Sequence, residues 1–328
     1  MNILFTLNNG FVPQVATCIC SILENNKFSK KIKFYLVSDG ISDINKNLLK
    51  NFVSSYGQQI YFIELGNIKN YLDFTVDTNG WHPIVLARLF LDKLLPDDIE
   101  RVLYLDGDTL VLDDLEELFE TNLFGNVIGM SPEPTVDKQR KLDLKLNNRL
   151  YCNAGVLLID LKKWRDENIG KQVLSFYEKH KGRLFANDQD ALNGALREQV
   201  YVLSIRYNFF NIYWSYPYHV LKKLTKPIDF MSEQNYHLAL NNPVIIHFLG
   251  EERPWRRGNH HKFSNQYHRY LSKTPWKDTE METGWEFYFK CFYLFNNVTR
   301  FFPMLRYKII NSLIPAMMSY RKRQLKKK

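Results

Sequence analysis

The sequence predicts an α/β protein built on a doubly wound, mainly parallel sheet, and three observations carry that expectation. Short apolar runs of strand length alternate with longer amphipathic stretches from the first residue onward. The early amphipathic stretches have helical spacing, and the second ends at Gly57, as helices often do. Two carboxylates stand at the end of an internal apolar run, the position at which sheets of this class bind ligands.

Each element follows from the local pattern. "NILFTL", "KIKFYLVS", "QIYFIEL", "RVLYLD", "NVIGMS", "AGVLLIDL" and "PVIIHFLG" have the length and apolar density of buried strands. "QVATCICSILENN" and "DINKNLLKNFVSSYG" read as the helices between the first three. With 328 residues, 45% of them apolar, the chain can form a substantial core, which excludes global disorder. "MNILFTLNNGF" lacks a basic region ahead of a long apolar stretch, so it reads as a first strand and the chain is expected in the cytosol. Cys18, Cys20, Cys152 and Cys291 have no metal-type spacing and are expected as free thiols.

The net charge of +9 is localised. Residues 285–328 hold ten Lys/Arg against the single acid Glu286, which leaves 34 basic and 34 acidic residues in the remainder. A body without excess charge offers no stripe for a polyanion, so nucleic acid is not an expected partner.

Asp106 and Asp108, in "RVLYLDGDTLVLDD", present hard oxygen ligands one residue apart that can converge on one divalent cation, Mn²⁺ or Mg²⁺. The alternative is a surface turn, which Asp-Gly also favours. In "PVIIHFLGEERPW", His247 ends an apolar run and can complete the metal set, or serve as a hydrogen-bonded structural residue. Gly250 and Arg253 follow at a spacing that can face phosphates. A cation beside a guanidinium is what a departing diphosphate requires, because negative charge grows on it as the bond breaks.

Four ordered motifs, "YLDGDTLVL", "YCNAGVLLIDLKKWR", "NDQDALN" and "HFLGEERPW", together with "NNGF" and Arg88 in "LARLFLDKLLP", resemble glycosyltransferase family 8 over roughly residues 1–260. The resemblance implies a GT-A fold, a UDP-hexose donor, a Mn²⁺ ion and transfer with retention of configuration. The nearest likeness is to bacterial enzymes that build surface glycans or glycosylate adhesins. On this likeness Asp106, Asp108 and His247 hold the metal. Thr6, Asn8, Asn9 and Phe11 line the uridine pocket, with Phe11 stacking on uracil. Arg88, Gly107, Asn153, Ala154 and Gly250 belong to the donor site, Asp188 binds sugar hydroxyls, and Gln189 lies beneath the anomeric carbon. Two departures stand out. The family's usual acidic residue facing uracil is Asn8 or Asn9 here, and Arg253 replaces a common lysine, adding a bidentate fork for phosphate. Gln189 is a poor nucleophile, so front-face substitution is expected, with a phosphate oxygen of UDP taking the acceptor proton.

The implied catalytic domain is 1–260, with a C-terminal extension at 261–328. From about residue 285 the extension is rich in Phe, Tyr and Trp and ends in basic residues, but Lys290, Arg300, Pro303, Arg306 and Pro315 interrupt it, so no stretch is apolar enough to span a bilayer. It is expected to lie on an anionic membrane surface, which makes the protein peripheral on the inner face of the plasma membrane. The expected acceptor is a surface glycan, lipooligosaccharide or glycoprotein, and galactose is favoured over glucose as the hexose. Two alternatives are a haloacid-dehalogenase-like phosphatase, whose Asp-x-Asp signature differs at Leu110 and in position, and a non-catalytic membrane-bound protein that binds nucleotide sugars.

Overall fold

The computed structural model of the chain describes residues 1–27, 31–78 and 80–325. Among the described residues nine strands form, β1 (Asn2–Asn8), β2 (Lys33–Asp39), β3 (Gln59–Glu64), β4 (Arg101–Leu105), β5 (Thr109–Val111), β6 (Ile128–Pro132), β7 (Cys152–Asp160), β8 (Val200–Val202) and β9 (Ile245–His247). Seven of them make one sheet in the order β3-β2-β1-β4-β7-β6-β8. The β1–β2, β2–β3 and β1–β4 pairs are parallel, while β7 runs antiparallel to β4 and β6. The α/β expectation is met, and all seven apolar runs are strands.

Burial on both faces explains why these strands read as continuous apolar runs rather than alternating ones. Helices α1 (Val12–Asn25) and α2 (Asp43–Ser55) return the chain to β2 and β3. Helix α1 is buried along nearly its whole length, and Ser42 caps α2 by accepting from the Asn45 N–H at 3.3 Å. Strand order runs outward from β1 to β3 and resumes with β4 on the other side of β1, so a crevice opens beyond the carboxyl ends of β1 and β4.

Two irregularities shape that crevice. Strands β5 and β9 form a separate antiparallel ribbon that pairs Thr109 with His247, bringing residues far apart in sequence side by side. In the β6–β7 pair the register jumps between Met130, opposite Leu157, and Ser131, opposite Asn153. The jump frees the Ala154 peptide from the β6 ladder for side chains to use.

Packing continues past residue 260, where the sequence motifs end. Tyr267, Tyr270 and Leu271 of α4 (Ser264–Leu271) are buried in the same cluster as α1, where the Asn25 Nδ2 donates to the Tyr270 hydroxyl at 2.8 Å. Trp276 also packs on this cluster. Helices α3 (Asn187–Ala195), α5 (Glu286–Thr299) and α6 (Pro303–Leu325) carry the arguments below. Among the described residues no helix is long and apolar enough to cross a membrane. The last three lysines of the expected basic cluster, 326–328, lie outside the described residues.

Candidate active site

Strand β4 ends at Leu105, and the chain then turns through Asp106, Gly107 and Asp108 into β5. The turn is held by the Asp106 N–H to the Gly155 carbonyl at 2.8 Å. Gly107 is required by close approach, since a Cβ there would lie 2.7 Å from Val15 Cγ2 and 2.9 Å from Phe11 Cδ1. Because Thr109 pairs with His247, the imidazole reaches both carboxylates. His247 Nε2 lies 3.4 Å from Asp108 Oδ1 and 3.9 Å from Asp106 Oδ2. Ligand atoms of the three residues all fall within 4.8 Å of one another. Octahedral Mg²⁺ or Mn²⁺ with bonds near 2.1 Å sets neighbouring ligands about 3 Å apart and opposite ones about 4.2 Å. The triad fits such an ion.

Each ligand is braced from behind. His247 Nδ1 meets Asn208 Oδ1 at 2.9 Å, and Asn208 Nδ2 donates to Asn153 Oδ1 at 2.9 Å. With Asn208 Oδ1 accepting from Nδ1, Nε2 is the ring nitrogen left for a cation. Burial opposes charge on the ring, but Asp108 and Asp106 outweigh it and raise the imidazole's pKa, so without an ion a proton on Nε2 facing Asp108 is favoured. Gly155 backs the ring so closely that a Cβ would sit 2.3 Å from His247 Cε1. Asp106 Oδ1 accepts from the Tyr104 hydroxyl at 2.7 Å and from Arg88 Nη2 at 2.9 Å. Thr6 Oγ1 lies 3.0 Å from the Tyr104 hydroxyl. Burial opposes ionisation of Asp108, yet the His247 contact and the Arg253 charge outweigh it and hold its pKa down to about 2.

Arg88 joins the two halves of the site. Its Nη1 donates to the Ala154 carbonyl at 2.6 Å, its Nε lies 2.9 Å from Asp188 Oδ2, and its guanidinium sits 4.2 Å above the Tyr104 ring. Burial raises Asp188 to about 6, against the pull of Arg88 and with help from Asp106. Gln189, in the first turn of α3, accepts from the Ala154 N–H at 2.9 Å and donates to Glu133 Oε2 at 3.0 Å and the Tyr151 hydroxyl at 2.9 Å. Its orientation is therefore fully determined.

Arg253 Nη2 lies 3.0 Å from Asp108 Oδ2. Its Nε is buried with no hydrogen-bond partner among the described residues, a donor capacity suited to an anion. Gly250, at φ +78°, provides the left-handed turn leading to it. Phe11 stands edge-on to Trp255 with centroids 5.8 Å apart.

Other expected donor contacts take protein partners. Asn9 Oδ1 accepts from the Ser42 N–H at 3.0 Å and Asn45 Nδ2 at 2.8 Å, anchoring α2, whereas Asn8 makes no capping bond. Asn153 donates to Glu133 at 2.9 Å and accepts from Asn208 and Gly155, so its buried side chain connects parts of the site. Sequence reasoning missed Tyr104, Glu133, Tyr151, Gly155, Asn208 and Trp255. Glu133 carried one signal, an acid just beyond the strand-like run "NVIGMS".

A switch-point crevice in a mainly parallel sheet, with an Asp-x-Asp and a distant His beside a guanidinium, defines a glycosyltransferase of the GT-A class. The chain belongs to glycosyltransferase family 8, whose model, described as "Glycosyl transferase family 8", matches residues 2–259. It is similar to "General stress protein A" of Bacillus subtilis, 27% identical over 84% of this chain and 94% of that protein. It is also similar to "Lipopolysaccharide 1,2-glucosyltransferase" of Escherichia coli, 26% identical over 85% and 79%. A crystal structure of the galactosyltransferase LgtC in complex with donor and acceptor sugar analogs superposes with a TM-score of 0.71 at 26% identity, over 84% of this chain and 96% of that one. Family membership sets aside the phosphatase alternative.

Proposed function

We propose that this glycosyltransferase moves a hexose from a UDP-sugar, with retention of configuration, onto a surface glycan, lipooligosaccharide or glycoprotein acceptor. The cation is Mn²⁺, with Mg²⁺ as its substitute. The observation that carries the reading is the β5–β9 register, which sets His247 against Asp106 and Asp108 within reach of Arg253.

A bound divalent ion supplies electrostatic stabilisation of the diphosphate as charge develops on it. The chain's own residues do the rest. Asp106, Asp108 and His247 bind the ion, while Arg253 turns its fork and unpartnered Nε to a phosphate oxygen. Asp188 accepts hydroxyls of the sugar, with Arg88 holding its carboxylate in place. Gln189 presents its fixed amide beneath the anomeric carbon. With both ends of that amide already hydrogen bonded, attack by the acceptor on the leaving group's own face is favoured over a covalent adduct with Gln189. Thr6, Asn8 and Phe11 at the end of β1 form the uridine side, and Trp255 extends it.

Galactose is favoured over glucose because a galactosyltransferase bound to donor and acceptor analogs shares the fold. The lipopolysaccharide transferase among the relatives supports a glycolipid acceptor. Placement at the inner face of the plasma membrane draws on the tail: Phe287, Leu294 and Val298 of α5, Phe301 and Phe302 in the link after it, and Leu305 at the start of α6 are exposed, in a segment with ten basic residues. Assay of UDP-galactose, UDP-glucose and other UDP-hexoses for Mn²⁺-dependent hydrolysis tests the reading. Turnover of at least one, greatest with UDP-galactose and abolished by chelator, is the expected result, and no turnover of any UDP-hexose would reject it.

A further inference from the structure

The family match ends at residue 259, yet residues beyond it reach back to the arm that carries Arg253. That arm runs from Gly250 to Gly258, and its aromatic residue Trp255 packs both Arg253, 5.6 Å from the ring, and Phe11. Glu282 grips the arm with both carboxylate oxygens. Oε1 accepts from Trp255 Nε1 at 3.1 Å, and Oε2 accepts from Arg256 Nε at 2.9 Å. Backbone pairing reinforces the grip, with the Glu282 N–H to the Trp255 carbonyl and the Arg257 N–H to the Glu282 carbonyl, each at 2.8 Å.

Arg256 closes the arm from the other side. Its Nη1 donates to the Glu251 carbonyl at 3.2 Å and also pairs with the Glu251 carboxylate, so the two ends of the turn are tied by one guanidinium. The Trp285 ring covers that guanidinium at 3.7 Å, and Arg256 is only 7% exposed. At Gly258, with φ +88°, the chain passes so close to α5 that a Cβ would lie 3.0 Å from Glu286 Cα.

This construction matters because Arg253 and a metal ion draw on the same carboxylate. Arg253 is held at one end by Asp108. An ion held by Asp108 would compete with Arg253 for that carboxylate, and the arm would then depend on its other anchors to keep the guanidinium aimed at the diphosphate. Those anchors are Arg256, Glu282 and Trp285.

We propose that Arg256, clasped between Glu251 and Glu282 beneath Trp285, is a positioning residue that sets Arg253 for the donor's diphosphate, which makes residues 282–285 a working part of the donor site. The proposal rests on the reading of Arg253 as a diphosphate contact.

A double-mutant cycle on the full chain tests it, with UDP affinity in saturating Mn²⁺ measured by calorimetry. Arg256→Gln is expected to weaken UDP binding about 10-fold in the wild-type background and less than about 2-fold in the Arg253→Gln background, since it acts through Arg253. Affinity for Mn²⁺ alone stays within about 2-fold, and Arg256→Lys recovers part of the loss. Trp285→Ala, which removes the cover but leaves the ion pairs, gives a smaller loss with the same dependence on Arg253 and serves if Arg256→Gln does not fold. An equal loss in both backgrounds, or no loss in either, would overturn the proposal while leaving the donor assignment standing. Wild-type protein that binds no UDP would overturn both.

Discussion

Gly155→Ala adds a single methyl group outside the metal's own ligands and therefore probes how closely His247 is placed. The new Cβ would lie 2.3 Å from His247 Cε1, 2.5 Å from its Nδ1 and 3.0 Å from Asn153 Oδ1, where ordinary contact begins at 3.4 Å. The ring would have to retreat about 1 Å, because such overlap is not tolerated in a close-packed interior. It has little room to do so. His247 is 2% exposed, bonded to Asn208 at 2.9 Å and edge-on to Phe210. Metal–ligand distances tolerate shifts of only about 0.2 Å, so a displacement near 1 Å amounts to loss of the ligand. Divalent-metal affinity should fall about 100-fold, the upper end of what loss of an outer-shell support produces. Overpacking should also lower stability by about 1–3 kcal/mol. Mn²⁺ titration calorimetry and thermal melts on the wild type, Gly155→Ala, His247→Ala and the double variant measure both. With the imidazole gone the methyl has space, so it should cost metal affinity less than about 2-fold in the His247→Ala background. Unchanged affinity and melting temperature in Gly155→Ala would refute the placement of His247 and the metal set with it.

Three further outcomes are expected. Asn208→Ala removes the partner of His247 Nδ1, so Mn²⁺ affinity should drop about 10- to 100-fold and stability by about 1–3 kcal/mol, read by the same titrations and melts. Asp188 is raised to about 6 from 3.8, so the folded protein takes up this proton before the unfolded chain does. As pH falls from about 6 towards 4 this group's contribution to stability rises, while activity, which needs the carboxylate, declines. A pH–rate profile of UDP-hexose hydrolysis should show an acid limb near 6 that is absent from the slower Asp188→Asn variant; an unchanged limb would remove Asp188 from this role. Replacing Phe287, Leu294 and Val298 together with Ser should reduce co-sedimentation with phosphatidylglycerol vesicles several-fold and leave UDP-hexose hydrolysis within about 2-fold, because these side chains are exposed on one face of α5. Equal sedimentation of both proteins would count against the membrane reading.

Much of the fold was legible in the sequence, for a physical reason. Strands buried on both faces, such as β1, β2, β4 and β7, leave continuous apolar runs that need no tertiary context to recognise. Strands β5 and β8 have three residues each and carry no such signal. The site divides along the same line. Asp106 and Asp108 declare themselves by standing where a buried strand should continue, and His247 by ending another. Asn208, Tyr104 and Tyr151 act through partners 39, 2 and 38 residues away, Asn208 on His247, Tyr104 on Asp106 and Tyr151 on Gln189, and nothing local distinguishes them from core residues. Gly155 looks like any strand glycine until the β5–β9 ribbon sets an imidazole against it. Asn9 was legible as a site candidate, and its side-chain oxygen also anchors the start of α2, a contact nothing in the local sequence announces.

The tail shows how composition and packing answer different questions. Its aromatic richness suits both a membrane surface and a packed helix, and α5 packs along one face and leaves apolar side chains exposed on the other. Phe289 is fully buried, and the Tyr293 hydroxyl donates to Asn259 Oδ1 at 2.9 Å, whereas Phe287, Leu294 and Val298 face outward. Arg306 of α6 is buried over Tyr216 and Phe295 and bonds Asn296. Excess charge therefore does not mark every basic residue of the segment as a surface group.

With Asp106, Asp108 and His247 proposed to hold a divalent ion beside Arg253, UDP binding should depend on that ion. Calorimetric titration of UDP into the protein, with Mn²⁺ and with chelator, tests it most directly. Binding with Mn²⁺ should be at least about 10-fold tighter, a difference of about 1.4 kcal/mol, and His247→Ala should abolish that difference. Equal UDP affinity with and without the metal in the wild-type protein, or a metal dependence that survives His247→Ala intact, would contradict the account.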